Sequence, residues 1–463
     1  MLVEELYELI ETLRKMIQKI TLDVSFDSEQ WEGRSSTLIL TDECNLRCTY
    51  CYCTKTPRIM SWDVAKEYID FIFEESLSLA DIPKAEQTEM IHRKIFEFIG
   101  GEPLLQASLM FKCMDYILER TEALPDNHPW KRDDWRCPVC PTPHRVPGIR
   151  FMISTNGLLL NDPGIRQGME KWDSDYVSIG ATLDGTREMH DLCRKTPEGE
   201  GSHAQVINAW RWLLKKYPPC ATSTKSTIAH ENIDYIYDIV KYFYNMGITT
   251  LAQNCVFENV WHRGDQHRLL RQLIKVSDFL IERRRYEKMK VRWFGSSYFE
   301  KTTSEAKWCG AGTYMDSCDA AGLLYPCLRF KELKIRPPFI FGDTKAGKNQ
   351  EILDDFITLS KNVINNPEQH ILSGLPECIN CPVSALCADC QAFAYDCFGS
   401  LEAKSPFICP MHKAVCVANV YFFCKILELP IDPLYLEECL EAWTKNNYFS
   451  TDGDYQEWLS HQT

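Results

Sequence analysis

The sequence predicts an α/β fold of roughly six parallel β–α units arranged as a barrel, followed by a cysteine-rich segment of another kind. Three observations carry this. Apolar strand-like runs alternate with helical patterns between residues 36 and 300. Glycine and polar turns follow those strands, where the functional face of a parallel barrel lies. After residue 305 the alternation stops, and Cys, Gly and Pro dominate to about residue 416.

In order along the chain, residues 1–33 read as one amphipathic helix, "MLVEELYELIETLRKMIQKI", and a connector. "SSTLILT" is an apolar strand and "WDVAKEYIDFIFEESL" has helical spacing. "HRKIFEFIGGEP" is a strand ending in a glycine turn, and "GIRFMISTNGLLL" repeats that pattern. "YVSIGATLDGT" is the next strand, followed by helix "SHAQVINAWRWLLKKYP". "CATSTKSTIAH" leads into helix "ENIDYIYDIVKYFYNMG" and strand "ITTLAQNCVFE". Residues 122–148, rich in Pro and charge, read as a surface insertion in the unit they interrupt. The domain expectation is a helix and connector (1–33), a barrel (34–300), a cysteine-rich domain (301–420) and a helical tail (421–463).

The chain has 463 residues, 45% of them apolar, enough for a large core or several domains. A formal charge of −14 disfavours nucleic acid as the main partner. No signal peptide stands at the N-terminus, and no apolar run approaches the roughly 18 residues that span a bilayer. A cytoplasmic protein without a membrane partner is the expectation. There, 22 cysteines stay reduced, and clustered ones are metal ligands rather than disulfides. The scattered Cys113, Cys220, Cys255, Cys424 and Cys439 read as small buried hydrophobes.

The densest cluster is "TDECNLRCTYCYC", residues 41–53, just after a strand. Cys44, Cys48 and Cys51 form C-x3-C-x2-C. Three thiolates from one loop can hold three irons of a 4Fe–4S cluster and leave the fourth open. Zinc is the alternative, but it prefers four tetrahedral ligands, usually as two C-x2-C pairs. Cys53 reads as packing.

"CNLRCTYC" resembles the signature of radical S-adenosylmethionine (SAM) enzymes, and other pieces follow in order. "GGEP" (Gly100, Gly101, Glu102, Pro103) resembles the family's turn that meets the methionine amino group. "TLDGTREMHDLCR" resembles the stretch in which a hydroxyl, here Thr182, and an Arg, here Arg194, contact SAM. Arg194 can pair bidentately with the methionine carboxylate; without the family it and His190 read equally as a surface charge and a satisfied turn residue. Tyr50 resembles the aromatic beside adenine, and "STNG", with Ser154 and Asn156, a further strand-end turn. The resemblance implies a partial (β/α)6 TIM barrel and reductive cleavage of SAM to a 5′-deoxyadenosyl radical that abstracts hydrogen from substrate.

The C-terminal cysteines resemble the SPASM extension, which carries two auxiliary 4Fe–4S clusters. The resemblance implies one cluster on Cys309, Cys318, Cys327 and Cys390, and another on Cys378, Cys381, Cys387 and Cys409. Two residues rather than three separate Cys387 from Cys390, which leaves Cys397 as an alternative ligand. A zinc ribbon is the other reading of the two C-x2-C pairs. Cys318 reads alternatively as a buried cysteine. Cys137, Cys140 and nearby His144 could form part of a zinc site or simply lie in a loop.

Three 4Fe–4S clusters and SAM are thus the implied cofactors. Relatives that oxidise a sulfatase side chain carry an Asp directly after the third cysteine of the extension's first loop, where this chain has Leu328. A ribosomally made precursor peptide is the implied substrate, with a thioether or related crosslink as product. A protein side chain or small molecule is the alternative substrate. An iron–sulfur electron carrier or a zinc interaction module is the non-enzymatic one. A reductase, flavodoxin or ferredoxin is the implied electron donor. The 43 residues before Cys44 are too few for a winged-helix peptide-recognition element. Leader recognition is expected to use the N-terminal helix, a separate protein, or nothing.

Overall fold

The structure is a computed structural model that describes residues 2–18, 34–87, 92–136, 145–217, 224–295, 299, 310–365, 378, 381–382, 387, 390–401 and 403–461. Helix α1 (Leu2–Ile17) precedes strand β1 (Arg34–Thr41), which is buried on both faces over its last six residues, as a parallel-sheet strand should be. Helix α2 (Trp62–Ser76) starts where the Ser61 hydroxyl accepts from Val64 N at 3.2 Å. It buries Ala65, Tyr68, Ile69, Ile72 and Phe73, an i, i+3, i+4 stripe laid on the sheet.

Strand β2 (Lys94–Gly100), helix α3 (Ala107–Glu122), the short pair β3 (Trp135–Arg136) and β4 (Arg145–Val146), and strand β5 (Ile149–Thr155) follow. Then come helix α4 (Pro163–Glu170), β6 (Val177–Ala181), α5 (Arg187–Cys193), α6 (His203–Lys216), β7 (Thr224–Ile228), α7 (Ile236–Asn245), β8 (Thr250–Cys255), α8 (Asp265–Ile281) and β9 (Lys290–Val291). Strands β1, β2, β5 and β6 pair in parallel in one sheet, and β7, β8 and β9 pair in parallel in another. The seam between the sheets is closed by the segment after β6. Thr224 Oγ1 donates to Leu183 O (2.9 Å), Ser226 Oγ to Asp184 O (3.2 Å), and Thr227 N to Asp184 Oδ1 (3.4 Å).

The cysteine-rich segment is not separate from the barrel. Strand β10 (Met315–Cys318) pairs in parallel with β1, and β11 (Leu323–Tyr325), β12 (Gly342–Asp343) and β13 (Gly347–Lys348) extend that edge antiparallel. Helices α9 (Leu328–Lys331), α10 (Gln350–Asn365), α11 (Gln391–Phe398), α12 (Cys409–Ile426) and α13 (Pro433–Thr444) complete the described architecture, with a last helix at Tyr455–Ser460. Helix α12 runs through residue 420 and is buried nearly all round. Its Asn419 amide donates to Trp293 O (2.7 Å) and accepts from Gly295 N (3.1 Å), which ties it to the chain leaving β9.

One sequence expectation changes here. The insertion at 122–148 is partly core. Trp130 packs edge-on against Phe73 (5.3 Å) and Phe96 (6.4 Å), and buried His128 meets Ser76 O at 2.9 Å. Helix α1 buries Leu6, Ile10, Leu13 and Ile17 in the core, and Tyr7 packs on Trp443 of α13. Its apolar stripe is therefore used within the chain.

Candidate active site at the C-terminal ends of the strands

The cysteine loop leaves β1 at Thr41. It is held by Arg47 N donating to Lys195 O (2.7 Å) and Thr49 N to Cys193 O (3.0 Å). The glycine turn after β2 lies against it: Gly101 N donates to Thr41 O and Glu102 N to Glu43 O, both at 2.8 Å. This approach requires glycine. A Cβ on Gly100 would sit 2.2 Å from Thr41 O, and one on Gly101 2.1 Å from Glu43 O. Both obstacles are backbone atoms, so no side-chain rotation relieves them.

The side chain of Glu102, expected at the cofactor, is fully buried and committed to protein donors: Leu104 N (3.1 Å), Thr155 Oγ1 (2.7 Å) and Asn156 N (2.8 Å). Burial raises its pKa while those donors hold it down. Asn156 Nδ2 donates to Asn45 Oδ1 at 2.6 Å and lies 3.7 Å from Cys44 Sγ. Glu102 and Asn156 thus bind the turns after β2 and β5 to the cysteine loop. Ser154 points lower, donating to Glu97 Oε1 at 2.8 Å. Thr182 is half-buried at the end of β6.

Arg194 is buried, not a surface charge. Its Nε donates to Asp184 Oδ2 at 2.7 Å, its guanidinium lies 5.4 Å from the Tyr50 ring centre, and Nη1 is 3.8 Å from Cys48 Sγ. Burial works against this charge, but Asp184, Tyr50 and Cys48 outweigh it and its pKa goes up. The Tyr50 hydroxyl also bonds Asp184. His190 is a buried neutral prop. Its Nδ1 accepts from Asp184 N (3.2 Å), its Nε2 meets Ser202 Oγ (3.0 Å), and Ser202 Oγ donates to Arg194 O (2.8 Å). Burial, with Arg194 and His203 nearby, pushes the His190 pKa down to about 3.

The three thiols differ in setting. Burial pushes Cys48 up to about 11, with Arg194 pulling the other way, and burial likewise raises Cys44. Cys51 is drawn down, chiefly by a hydrogen bond from Cys53 and against burial, and Lys55 Nζ sits 3.2 Å from its sulfur. Among the described residues no three His, Cys, Asp or Glu side chains form a group that could hold one metal ion. An all-thiol donor set strung along one loop and flanked by Lys55 and Arg194 is the arrangement a multi-iron cluster spans.

The C-terminal cysteines divide. Cys327 and Cys390 both lie near Tyr52 of the cysteine loop, and Arg329 stacks 4.5 Å over that ring while pairing with Glu258. Lys331 Nζ joins Asp42 (2.8 Å) and Glu332 (2.6 Å), fixing this segment over the barrel mouth. Cys378 has Cys409 and Cys381 as neighbouring thiols, and burial pushes it up to about 12. Cys387 lends its carbonyl to Lys404 Nζ at 3.1 Å. Cys397 lies near Glu258 and Arg329. Cys318 goes elsewhere. On β10 it shares a face with Asp316, which Tyr68 of α2 contacts at 2.7 Å, and it is fully buried between sheet and helix. Strand alternation turns it toward α2, while Cys327 and Cys390 lie near Tyr52. Cys309, Cys137, Cys140, His144 and Cys220 lie outside the described residues.

Residues 38–243 match the Radical SAM superfamily. The chain carries a radical SAM domain. An uncharacterized protein of Methanocaldococcus jannaschii is 27% identical over 217 residues, 46% of this chain and 60% of that protein. A cysteine-type anaerobic sulfatase-maturating enzyme of Clostridium perfringens is 26% identical over 201 residues, 42% of this chain and 45% of that enzyme. These matches thus span about half the length of the curated relatives. Among solved structures, anSMEcpe with bound AdoMet superposes with a TM-score of 0.59 at 18% identity, covering 88% of this chain and 98% of that one. Streptococcus suis SuiB bound to precursor peptide SuiA gives 0.50 at 13% identity, covering 81% and 75%. They share this chain's fold over most of its length.

Several residues of the site were not singled out from the sequence. Asp184 stood in the quoted "TLDGT" stretch without a role of its own. Asp42, Lys331 and Glu332 carry no motif. Arg329 and Glu258 are 71 positions apart and show no spacing signal.

Proposed function

We propose that this chain is a radical SAM enzyme that modifies a ribosomally made peptide, forming a thioether or related crosslink. The observation that supports it best is the convergence of the cysteine loop, the Gly100–Gly101 turn and Arg194 at one end of the strands. Cys44, Cys48 and Cys51 would hold a 4Fe–4S cluster. When bound, it supplies the electron that splits SAM and releases the radical that removes a substrate hydrogen.

The chain's own residues bind and orient. Arg194, with Nε held by Asp184, keeps its other nitrogens for the methionine carboxylate. The turn after β2 presents backbone to the amino group, and Glu102 and Asn156 keep that turn in register with the loop. Thr182 and Tyr50 flank the place for the nucleoside. Cys309, Cys318, Cys327 and Cys390 would hold one auxiliary cluster, and Cys378, Cys381, Cys387 and Cys409 another. Reduced thiols suit a cytoplasmic setting and a flavodoxin- or ferredoxin-type donor.

Peptide substrates are supported by SuiB, solved with its precursor peptide SuiA, and by anSMEcpe, solved with Cp18Cys peptide. Oxidation of a protein side chain is the second reading, favoured by similarity to sulfatase-maturating enzymes. Against it stands Leu328 in the position where those enzymes are expected to carry Asp. The test combines reconstituted protein, reductant and SAM with short Cys-rich peptides encoded beside this gene. A loss of two hydrogens from a peptide, with 5′-deoxyadenosine formed, is the expected result. Oxidation of a sulfatase-type Cys or Ser peptide instead would move the assignment to the second reading.

A further inference from the structure

The barrel strands show one face to the helices and the other to the lumen. Ser36, Leu38, Phe96, Phe98, Phe151 and Ile153 belong to the helix-side packing. The opposite face carries a single continuous layer in register across five strands: Ser317 on β10, Thr37 on β1, Glu97 on β2, Met152 on β5 and Ser178 on β6. This layer is polar, except for Met152, whereas the polar groups of the helix-side face are paired among apolar neighbours, Lys94 Nζ donating to Ser36 Oγ and Ser36 Oγ to Asp316 Oδ1, both at 2.6 Å.

Glu97 is its one charge. It is half-buried, and it accepts from Ser154 Oγ at 2.8 Å and Thr37 Oγ1 at 3.3 Å. A carboxylate offers about four acceptor positions, so two hydroxyls leave it incompletely served. No Lys, Arg or His among the described residues forms an ion pair with it. Two strands around the layer, beyond Thr37, Ser317 is fully buried and its hydroxyl has no partner among the described residues. A charge and a hydroxyl left short of partners in the same enclosed layer are what a bound polar group would complete.

Glu97 lies three residues before Gly100 on β2, about 10 Å lower at about 3.3 Å per residue. Only a long side chain spans that depth from the barrel mouth. We infer that the lumen layer around Glu97 is a specificity subsite for a cationic side chain, lysine or arginine, of the substrate peptide. The inference rests on the proposed reading of this chain as a radical SAM enzyme acting on a peptide, and it names what that peptide carries.

The test uses full-length reconstituted protein with SAM under anaerobic conditions. Calorimetry compares N-acetyl-lysine N-methylamide with the norleucine analogue, which has the same reach without the charge. The lysine probe should bind at least about tenfold more tightly, which is about 1.4 kcal/mol. Glu97→Gln should erase the difference. Should Glu97→Gln fail to fold, Ser178→Lys sets an internal ammonium in the same layer and should erase it too. Equal binding of the two probes to the unmodified protein, or a lysine preference that survives either substitution, would overturn the subsite. The same preparation is assayed for 5′-deoxyadenosine. Its formation without a lysine preference overturns the subsite alone, whereas its absence overturns the parent reading.

Discussion

Asp184 makes the firmest prediction, because a buried cation depends on it. Its carboxylate and the Arg194 guanidinium are 1% and 10% exposed, and they meet at 2.7 Å. The same carboxylate holds the Tyr50 hydroxyl and the Thr227 amide of β7 across the seam between the sheets. Asp184→Ala leaves Arg194 buried beside Cys48 without its anion. Breaking a buried pair on one side costs about 3–5 kcal/mol, most of it the stranded charge. That is about two to four orders of magnitude in the folded population, at about 1.4 kcal/mol per tenfold. The assay is anaerobic urea unfolding followed by tryptophan fluorescence, with and without SAM. The loss should shrink when SAM is present, because its carboxylate restores an anion to Arg194 and binding favours the folded state. A stability loss under about 1 kcal/mol would mean that Arg194 swings into water and is not held in place for the cofactor.

Gly101→Ala drives a Cβ onto Glu43 O, which only a backbone shift can relieve. SAM binding by calorimetry should be lost, while iron on the C-terminal cysteines is kept. His190 has a folded pKa of about 3, below its ordinary 6.5, so the folded state resists its protonation. Its contribution is complete above pH 6.5 and falls as pH drops from 6.5 toward 3. By pH 5 the loss is about 2 kcal/mol, and His190→Gln should flatten this acid limb in unfolding curves at several pH values. Arg329 lies beside Cys390 and Tyr52. Removing its charge in Arg329→Ala should make the nearer auxiliary cluster harder to reduce, read as a lower midpoint potential by electron paramagnetic titration.

How far the sequence reaches depends on the range of the interaction. The strands from "SSTLILT" to "ITTLAQNCVFE" are local patterns, and the structure places strands in each. The cysteine loop and glycine turn were legible because their chemistry needs fixed residue types at fixed spacing. The burial of Cys318 between sheet and helix was not legible, because spacing says nothing about which face of β10 it takes. Trp130 sits among Pro and charged residues, and its burial comes from Phe73 and Phe96, remote in sequence. The pairing of β10 with β1 and the docking of α1 on the C-terminal helices join distant segments that no window contains. Asp184 joins Arg194, Tyr50 and β7 at once, a role that emerges only when three segments meet.

The central claim is that Cys44, Cys48 and Cys51 hold the cluster at which SAM binds. Electron paramagnetic spectra of the dithionite-reduced protein, recorded with and without SAM, test it most directly. SAM should shift one cluster signal in the unmodified protein. In the variant with all three cysteines changed to Ala that signal should vanish, while about eight irons, two clusters' worth, remain on the C-terminal cysteines. A SAM-dependent signal that survives in the triple variant would place the cofactor elsewhere and contradict the account.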